Sequence, residues 1–430
     1  MTAVSRRDFA RLLALTGSAA MFPELGKGGP LNLTRAPLPA TPAEPDEAYW
    51  KAVRARYLVP ADLAFLNAAN LCPTSLPVVE TLERNTRFLD ADPSAASRAK
   101  LTAGREESRR LLAVALRVTP EEIVMTRNTS EANNFVSSGL QLGTGDEVVI
   151  FGDNHPSNLQ AWNDKAKRFG FTVVTVPVVL PHPGTDAYVS AFTNAMTPRT
   201  KLLAITHVTN TIGDMLPVAE LCAMARQRGV MSLVDGAQTF GVLNLDLSVM
   251  RPDFYSGSAH KWLCGPKEIG LLFVDRGVHD RISPSIVALY PGAVGISRTM
   301  EGYGQRDEAA LATLGSAVTF QETIGREAIE KRSRALAERL VSQLQTVPGV
   351  TFWSSTDATR YAAIVVFKPA ALDPRRLAST LYEKDRIAVA TSGGTARPGI
   401  RMSPHIYNTI DEIDRAVAAV RKYVVAGLPA

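Results

Sequence analysis

An aspartate and a lysine at the ends of two apolar runs offer the clearest chemistry in this sequence. The run Val230–Val234 ends in Asp235, and Lys261 follows 26 residues later in the stretch Ser258–Lys261. A lysine amine can form a Schiff base with an aldehyde, and a carboxylate can hold a ring nitrogen in its protonated state. Pyridoxal phosphate (PLP) requires both groups, so we interpret the pair as a PLP attachment site.

The segment Thr126–Phe135 supplies a candidate anion site. A short predicted strand ends there, small hydroxyl residues follow, and a helix begins. Thr129 and Ser130 then lie where the free backbone N–H groups of a first helical turn attract a phosphate. Taken alone, the same pattern is typical of an ordinary helix N-cap.

Predicted strands and helices alternate through the middle of the chain. Glu147–Phe151, Thr172–Val179, Lys201–His207 and Val230–Asp235 have the composition of strands, and helical patterns separate them. This alternation predicts an α/β fold with a mostly parallel sheet and helices on both faces. Ligands of such sheets bind beyond the carboxyl ends of the strands. The candidate residues at or just past these ends are His155, His207, Asn210, Asp235 and Ser258.

The last third of the chain has a different pattern. Residues 308–346 read as one long helix, and shorter predicted strands and helices follow. Between them lies a glycine-rich and then basic stretch, Thr391–Asn408, which we interpret as an active-site loop. We therefore expect a large domain over residues 48–300, with an N-terminal segment shared with a smaller α+β domain over 301–430.

The N-terminus has the features of an export signal. The pair Arg6-Arg7 precedes a modest apolar segment and small residues, which is the pattern of a twin-arginine (Tat) signal peptide. We predict a signal over residues 1–26, a proline-rich linker over 27–47, recognition by the Tat machinery and a periplasmic location. A cytoplasmic enzyme with a chance arginine pair is the alternative.

Composition excludes several other classes of protein. Of 430 residues, 46% are hydrophobic and 21% charged, as in ordinary globular proteins, and the net charge of +5 comes from scattered basic residues. A nucleic-acid partner is therefore not expected. No apolar stretch is long enough to span a membrane, so no stable membrane insertion is expected after export. The three cysteines form no CxxC pair, and no metal site is predicted.

From about Phe65 to Ala426 the chain resembles the class V aminotransferases of PLP fold type I. The resemblance is carried by Asp235-Gly236-Ala237-Gln238, by Ser258-Ala259-His260-Lys261 and by Gly265-Pro266. Within the class the chain is most similar to isopenicillin N epimerase-like proteins, through His260–Leu263 and the stretch Ile400–Thr409. Some Tat-exported members of this group mature pyoverdine-type siderophores in the periplasm. The resemblance implies a large domain built on a mostly parallel sheet of the seven-stranded type.

The resemblance also implies a role for each residue around the cofactor ring. Lys261 would attach the cofactor and move the α-carbon proton. Asp235 would pair with the pyridine nitrogen, and His155 would stack on the ring. Gln238 would hydrogen-bond the phenolic oxygen of the ring, helped by Asn210.

The same resemblance assigns the phosphate and the substrate. Thr129 and Ser130 would hold the phosphate together with Ser258 and His260. Arg401 would bind the substrate carboxylate, because its planar fork matches two oxygens.

A homodimer is a further implication of the resemblance. Related proteins often place a Gly-Thr pair from the partner subunit on the phosphate. Here the matching stretch is Tyr303–Asp307, and Gln305 stands where the threonine would be. Gln305 can still donate a hydrogen bond to the phosphate.

The reaction that follows cofactor binding stays open. A cysteine desulfurase needs a nucleophilic thiol in the small-domain loop, and Ala390–Pro398 contains none; Cys72 and Cys264 lie elsewhere. Transamination, racemisation or oxidative decarboxylation of an amino acid or peptide-like metabolite would use the same residues. A C–S lyase that needs no protein thiol and a catalytically silent PLP-binding protein are the alternatives.

Overall fold

The computed structural model describes residues 38–392 and 396–429 of the chain. The predicted signal peptide and the first part of the predicted linker lie outside the described residues. So do residues 393–395 of the glycine-rich loop. No helix in the described part is long and apolar enough to cross a membrane.

The strands and helices are numbered in chain order. The strands are β1 (Ala64–Phe65), β2 (Ile123–Thr126), β3 (Glu147–Phe151), β4 (Thr172–Val176), β5 (Thr200–Thr206), β6 (Met231–Asp235), β7 (Phe254–Ser258), β8 (Gly270–Val274), β9 (Val350–Phe352), β10 (Val365–Pro369), β11 (Ile387–Ala388), β12 (Ala390–Ser392) and β13 (Gly399–Met402). The helices are α1 (Glu47–Arg54), α2 (Leu76–Ala91), α3 (Ala95–Leu116), α4 (Thr129–Gly139), α5 (Pro156–Phe169), α6 (Thr185–Ala195), α7 (Val218–Gln227), α8 (Leu247–Met250), α9 (Ser297–Met300), α10 (Glu308–Ile324), α11 (Arg326–Leu344), α12 (Pro374–Asp385) and α13 (Ile410–Ala426).

A seven-stranded sheet organises most of the chain. Its strand order is β2-β8-β7-β6-β5-β3-β4, and β8 alone runs antiparallel to its neighbours. The predicted α/β class with a large, mostly parallel sheet is confirmed. The strands β2, β3, β5, β6 and β7 therefore end at one edge of the sheet, and the segments that follow them meet there.

Apolar side chains cover both faces of this sheet. Val149, Leu203 and Val234 belong to the cluster on one face. Their chain neighbours Val148, Leu202 and Leu233 belong to the cluster on the other face. Successive residues of a strand point to opposite faces, so a strand buried on both faces must be apolar throughout. This explains the continuous apolar runs in the sequence.

A second, smaller sheet has the order β12-β13-β10-β9 and is antiparallel throughout. Its strands pack with α11, α12 and α13 around a separate apolar cluster that includes Leu340, Val365 and Ile400. Strand β1 pairs in parallel with β11, and Ala64 of β1 and the nearby Leu66 belong to this second core.

The predicted long helix over residues 308–346 is wrong in one respect. It is two helices, α10 and α11, separated by Gly325, whose φ of 94° no residue of a right-handed helix adopts. Leu311, Leu314 and Val318 of α10 pack with the first core, although the helix lies in the segment assigned to the small domain. The boundary at residue 300 stays a prediction.

Candidate active site

Asp235 is the last residue of β6, and its side chain is 4% exposed. One carboxylate oxygen, Oδ2, accepts a hydrogen bond from Asn133 Nδ2 at 2.9 Å. The other, Oδ1, accepts from the backbone N–H of Ala237 at 3.1 Å. A buried carboxylate held from two sides presents its negative charge in a fixed position at the carboxyl edge of the sheet.

Lys261 lies three residues beyond β7, at the same edge. Burial lowers the pKa of its amine to about 8, because a desolvated ammonium is unfavourable. The negative Asp235 opposes this shift, and the positive Arg401 adds to it. Asp235 and Arg401 both lie close enough to the amine to influence its pKa, and part of the amine is neutral near neutral pH.

His155 caps the N-terminus of α5, and its Nδ1 accepts the backbone N–H of Ser157 at 3.2 Å. Burial lowers the pKa of the imidazole, and Lys261 and Arg401 lower it further against the opposing charge of Asp235. The ring is therefore neutral at neutral pH. A neutral, partly buried aromatic ring among these charges can stack on a planar cofactor.

The predicted phosphate site is assembled from two distant segments. Helix α4 begins at Thr129, and the Thr129 backbone N–H donates to Ser258 Oγ at 2.9 Å. The two hydroxyl groups lie 2.7 Å apart. Ser130 is exposed on the same first turn. His260 follows Ser258, and burial lowers the pKa of its imidazole to about 4, with Lys261 and Lys267 adding to the shift.

Arg401 of β13 is 9% exposed and forms no ion pair with an acidic side chain of the described residues. Its Nη1 donates to Asn210 O at 2.7 Å, and its Nη2 donates to Asn67 Oδ1 at 3.2 Å. Arg401 Nε and Asn210 Oδ1 are buried and have no hydrogen-bond partner within residues 38–392 and 396–429. Burial lowers the pKa of the guanidinium to about 10. A buried cation that lacks a counter-ion is the physical signature of a binding site for an anion.

Gln238 already uses part of its amide within the protein. Its Nε2 donates to Ala69 O at 3.0 Å, and its Oε1 accepts from Trp262 Nε1 at 2.9 Å. One of the two amide hydrogens stays available. The predicted contact with the ring oxygen therefore requires that this second hydrogen point at the cofactor, and it stays a prediction.

The hydrogen bonds of Gln305 go to residues outside the predicted site. Its Oε1 accepts from Arg98 Nη2 at 3.1 Å, and its Nε2 donates to Glu308 Oε1 at 3.2 Å. Its side chain is exposed. The predicted contact of Gln305 with a phosphate would belong to a neighbouring subunit.

The structure adds Asn133, Asn67 and Trp262, which the sequence reasoning missed. Asn133 lies four residues after Thr129 on α4, so both face the sheet, and this spacing could have identified it. It accepts from Ser256 Oγ at 2.7 Å while it donates to Asp235. Asn67 follows β1 and reaches Arg401 from the far end of the chain, a contact that no spacing indicates. His207, another strand-end residue, is buried, and burial and the positive Arg334 lower the pKa of its imidazole to about 4.

These groups fit PLP part by part. A partly neutral lysine suits its aldehyde, a buried anion suits its pyridinium, and a helix N-terminus beside a serine suits its phosphate. The orphaned Arg401 Nε lies in the same site and leaves a donor for an amino acid carboxylate. The fold and the site together define a PLP-dependent enzyme of fold type I.

Comparison with known proteins identifies the family. The family model "Aminotransferase class-V" matches residues 74–416, and the chain belongs to this family. The chain is 30% identical to the isopenicillin N epimerase of Streptomyces clavuligerus over 87% of its length and 98% of that protein. It is 28% identical to a probable cysteine desulfurase of Methanothermobacter thermautotrophicus over 82% of this chain and 92% of that one.

Solved structures give the same fold. The cysteine desulfurase CsdA of Escherichia coli has a TM-score of 0.78 and 25% identity, covering 88% of this chain and 99% of that chain. The cystine C–S lyase C-DES, in complex with cysteine persulfide, has a TM-score of 0.78 and 25% identity over 84% and 98%. A mutant of C-DES has glycine covalently linked to its PLP cofactor. PLP is therefore the cofactor of this family of folds.

Proposed function

We propose that the protein acts at the α-carbon of an amino acid, or of a peptide-like metabolite with a free α-amino group and carboxylate. One observation carries the proposal: Arg401 is a buried cation that has no acidic partner in the described part of the chain, and it lies close enough to Lys261 to influence the pKa of its amine. An α-amino acid supplies the missing anion and places its α-carbon between the two side chains.

PLP supplies the electron withdrawal that makes an α-carbon proton acidic. Lys261 would anchor the cofactor until the amine of the substrate replaces it. The released Lys261 amine, whose pKa burial lowers to about 8, would then be available to take this proton and return it. Asp235 stabilises the positive charge on the ring, held in place by Asn133 and the Ala237 N–H. Arg401 orients the carboxylate, so that the α-carbon faces Lys261.

Returning the proton to either face gives epimerisation, and returning it elsewhere leads to transamination. The similarity to isopenicillin N epimerase covers 87% of this chain and supports epimerase-like chemistry. A C–S lyase is the second candidate, favoured by the likeness to C-DES. A desulfurase that uses a loop thiol is disfavoured, because Cys72, Cys222 and Cys264 are all buried and none belongs to the loop Ala390–Pro398.

Exchange of the α-proton tests the proposal. Holoenzyme is incubated in D₂O with the twenty L-amino acids and their D-forms. A set of γ-glutamyl dipeptides and of dipeptides with a free N-terminal amino group is tested in the same way. NMR follows the α-proton signal, chiral chromatography detects the epimer, and oxo-acid and sulfide assays detect transamination and C–S cleavage. At least one probe is expected to exchange with wild-type protein and none with Lys261→Ala. A PLP-loaded protein that exchanges no α-proton in any probe would support the silent binding protein.

We further propose that the protein is exported by the Tat pathway and works in the periplasm, with siderophore tailoring as one use. The twin arginine and the apolar segment after it support export. Changing Arg6 and Arg7 to Lys is expected to retain the protein in the cytoplasm upon cell fractionation, and an unchanged distribution would contradict export. Periplasmic metabolites of wild-type and Lys261→Ala cells, compared by mass spectrometry, should differ in a siderophore precursor.

We also propose that the protein forms a homodimer. The loop Ile286–Tyr290 exposes apolar side chains, with Val287 85% and Leu289 75% exposed. It adjoins Gln305 through Arg98, whose guanidinium lies over the Tyr290 ring at 5.8 Å and also binds Gln305. A second subunit that covers this loop would bring Gln305 towards its own phosphate site.

A further inference from the structure

A bidentate ion pair joins the glycine-rich loop to the segment that carries His155. Arg397 Nη1 donates to Asp153 Oδ2 at 2.9 Å, and Arg397 Nη2 donates to Asp153 Oδ1. The Asp153 side chain is buried and that of Arg397 is largely buried. Asp153 lies two residues before His155, in the connection between β3 and α5. Arg397 lies between β12 and β13 of the smaller sheet, so the pair crosses between the two cores.

The same few residues receive other contacts from the smaller sheet. Thr211 Oγ1 donates to Asp153, while Ser392 Oγ donates to Thr211 O. The preceding residue, Asn210, accepts Arg401 Nη1 through its backbone oxygen. Arg397, Ser392 and Arg401 thus all contact Asp153 or the Asn210–Thr211 backbone. These contacts connect the proposed substrate-carboxylate residue to the loop that holds His155.

Burial makes this pair sensitive to the loss of either partner. A carboxylate in a buried position needs its counter-charge, and removing the guanidinium leaves Asp153 with the Thr211 hydroxyl as its one side-chain partner among the described residues. The carboxylate must then move towards water. This movement shifts the β3–α5 connection and His155 with it, because the His155 backbone N–H donates to Asn154 Oδ1 within the same turn at 2.9 Å.

We propose that Arg397 is a positioning residue that sets the placement of His155 against the cofactor ring by holding Asp153. The inference rests on the proposed function, since it requires PLP at the site. Through this ion pair, the placement of His155 beside the large sheet depends on how the smaller sheet packs against that site. Binding of a carboxylate at Arg401 and stacking by His155 are then linked through Asn210 and Thr211.

PLP binding to purified apo-protein tests this role without a known substrate. The variants are Arg397→Gln, Arg397→Lys, Asp153→Asn and the double variant Asp153→Asn/Arg397→Gln. Arg339→Gln is the matched control, because Arg339 forms a bidentate pair with Asp414 at 2.6 and 2.7 Å that lies away from the site. The PLP dissociation constant, the visible circular dichroism of bound PLP and the melting temperature are measured for each.

Arg397→Gln and Asp153→Asn are each expected to weaken PLP binding about tenfold, as for other residues that act through a contact network. Both should alter the visible circular dichroism, which reports the asymmetric surroundings of the ring. The double variant should be no worse than either single variant, because both remove one pair. Arg397→Lys should be intermediate, since it keeps the charge and loses the fork. Arg339→Gln should match wild type in PLP affinity and dichroism.

If Arg397→Gln lowers only the melting temperature and leaves PLP affinity and dichroism at wild-type values, the pair is a structural contact and the inference is wrong. Additive effects in the double variant would also contradict it. If wild-type protein itself binds no PLP, the proposed function fails, and the inference fails with it. The two failures are distinguishable, because the titration of wild-type protein tests the proposed function and the titrations of the variants test the role of Arg397.

Discussion

The burial of Lys261 has a direct consequence for its reactivity. A lysine ordinarily has a pKa of 10.5, and burial lowers that of Lys261 to about 8. Only the neutral amine attacks an aldehyde, so attachment of PLP to apo-protein should accelerate between about pH 7 and 9 and level off above that range. The rate of the absorbance change near 420 nm, a typical value for a lysine-bound PLP, measures this.

The neighbouring cation provides the control for this pH profile. Arg401 contributes to lowering the pKa of Lys261, so Arg401→Leu should move the midpoint of the profile to higher pH. A profile that still rises above pH 10 in wild-type protein would show that the amine is not desolvated.

Arg401 itself should affect substrate far more than cofactor. Its hydrogen bonds go to Asn210 and Asn67, and its Nε has no acceptor in the part of the chain that the structure describes. With Arg401→Lys, the affinity for any amino acid found active in the α-proton assay should fall by about 100-fold, the value of one or two lost charged hydrogen bonds. The PLP dissociation constant should change little. Equal loss of both affinities would contradict the carboxylate role.

Individual site residues differ in how far the sequence predicts them. Thr129 and Ser258 follow the ends of two strands, and the hydrogen bond between them follows from the fold. Asn67 could not be predicted, because its contact with Arg401 joins residues 334 positions apart in sequence through two different sheets. The ion pair between Asp153 and Arg397 could not be predicted for the same reason. Charged pairs between loops depend on side-chain placement, which periodicity does not encode.

At the scale of elements, strand β8 controls the start of helix α4. Gly270 opens β8, and a Cβ there would lie 2.6 Å from Gly257 O and 2.7 Å from Asn128 Cα. Asn128 is the N-cap of α4, the helix whose first turn holds the proposed phosphate site. The close approach of three backbone segments explains the glycine.

Gly270→Ala should therefore weaken both the fold and the cofactor site. Overpacking at this point is expected to cost about 1–3 kcal/mol of the free energy of unfolding. Displacement of Asn128 should also weaken PLP binding. Urea unfolding of apo-protein and PLP titration measure the two effects. Gly143→Ala is the control, because a Cβ at Gly143 meets nothing within 4 Å, and it should leave PLP affinity unchanged.

The helices show where pattern reading ends. The charged, periodic stretch over residues 308–346 predicts helix correctly along most of its length. The helical spacing of its apolar residues does not reveal the break at Gly325. A single glycine is tolerated within a helix at a cost of about 1 kcal/mol. Packing decided the outcome here, because α10 belongs to the core of the large sheet and α11 contributes Leu336 and Leu340 to the second core.

At the scale of the whole molecule, the exposed loop Ile286–Tyr290 predicts the assembly. Aspartate at both Val287 and Leu289 should convert the proposed homodimer to monomer, because a charge cannot be buried in an apolar interface without a partner. Light scattering after size exclusion measures the mass. The control is Val249→Asp, which is 73% exposed on a different surface and should leave the dimer intact. A wild-type monomer would contradict the proposal directly.

The large sheet was the most predictable part of the molecule. Strands β3 and β5 are buried on both faces and mainly apolar, so each appears as an apolar run with a helical pattern after it. The smaller sheet was less predictable, because β9, β12 and β13 are three or four residues long and too short to show a period. The family resemblance, rather than the pattern, indicated the role of Arg401 on β13.

The separation of the two cores bears on how enzymes of this kind change over evolutionary time. Lys261, Asp235 and Thr129 are positioned by the large sheet, whereas Arg401 is positioned by a sheet with its own apolar cluster. Substitutions within the second cluster can move Arg401, the proposed substrate residue, while the proposed cofactor residues keep their places. A lineage can thus acquire new substrates by drift in the smaller sheet without rebuilding the chemistry that it inherits.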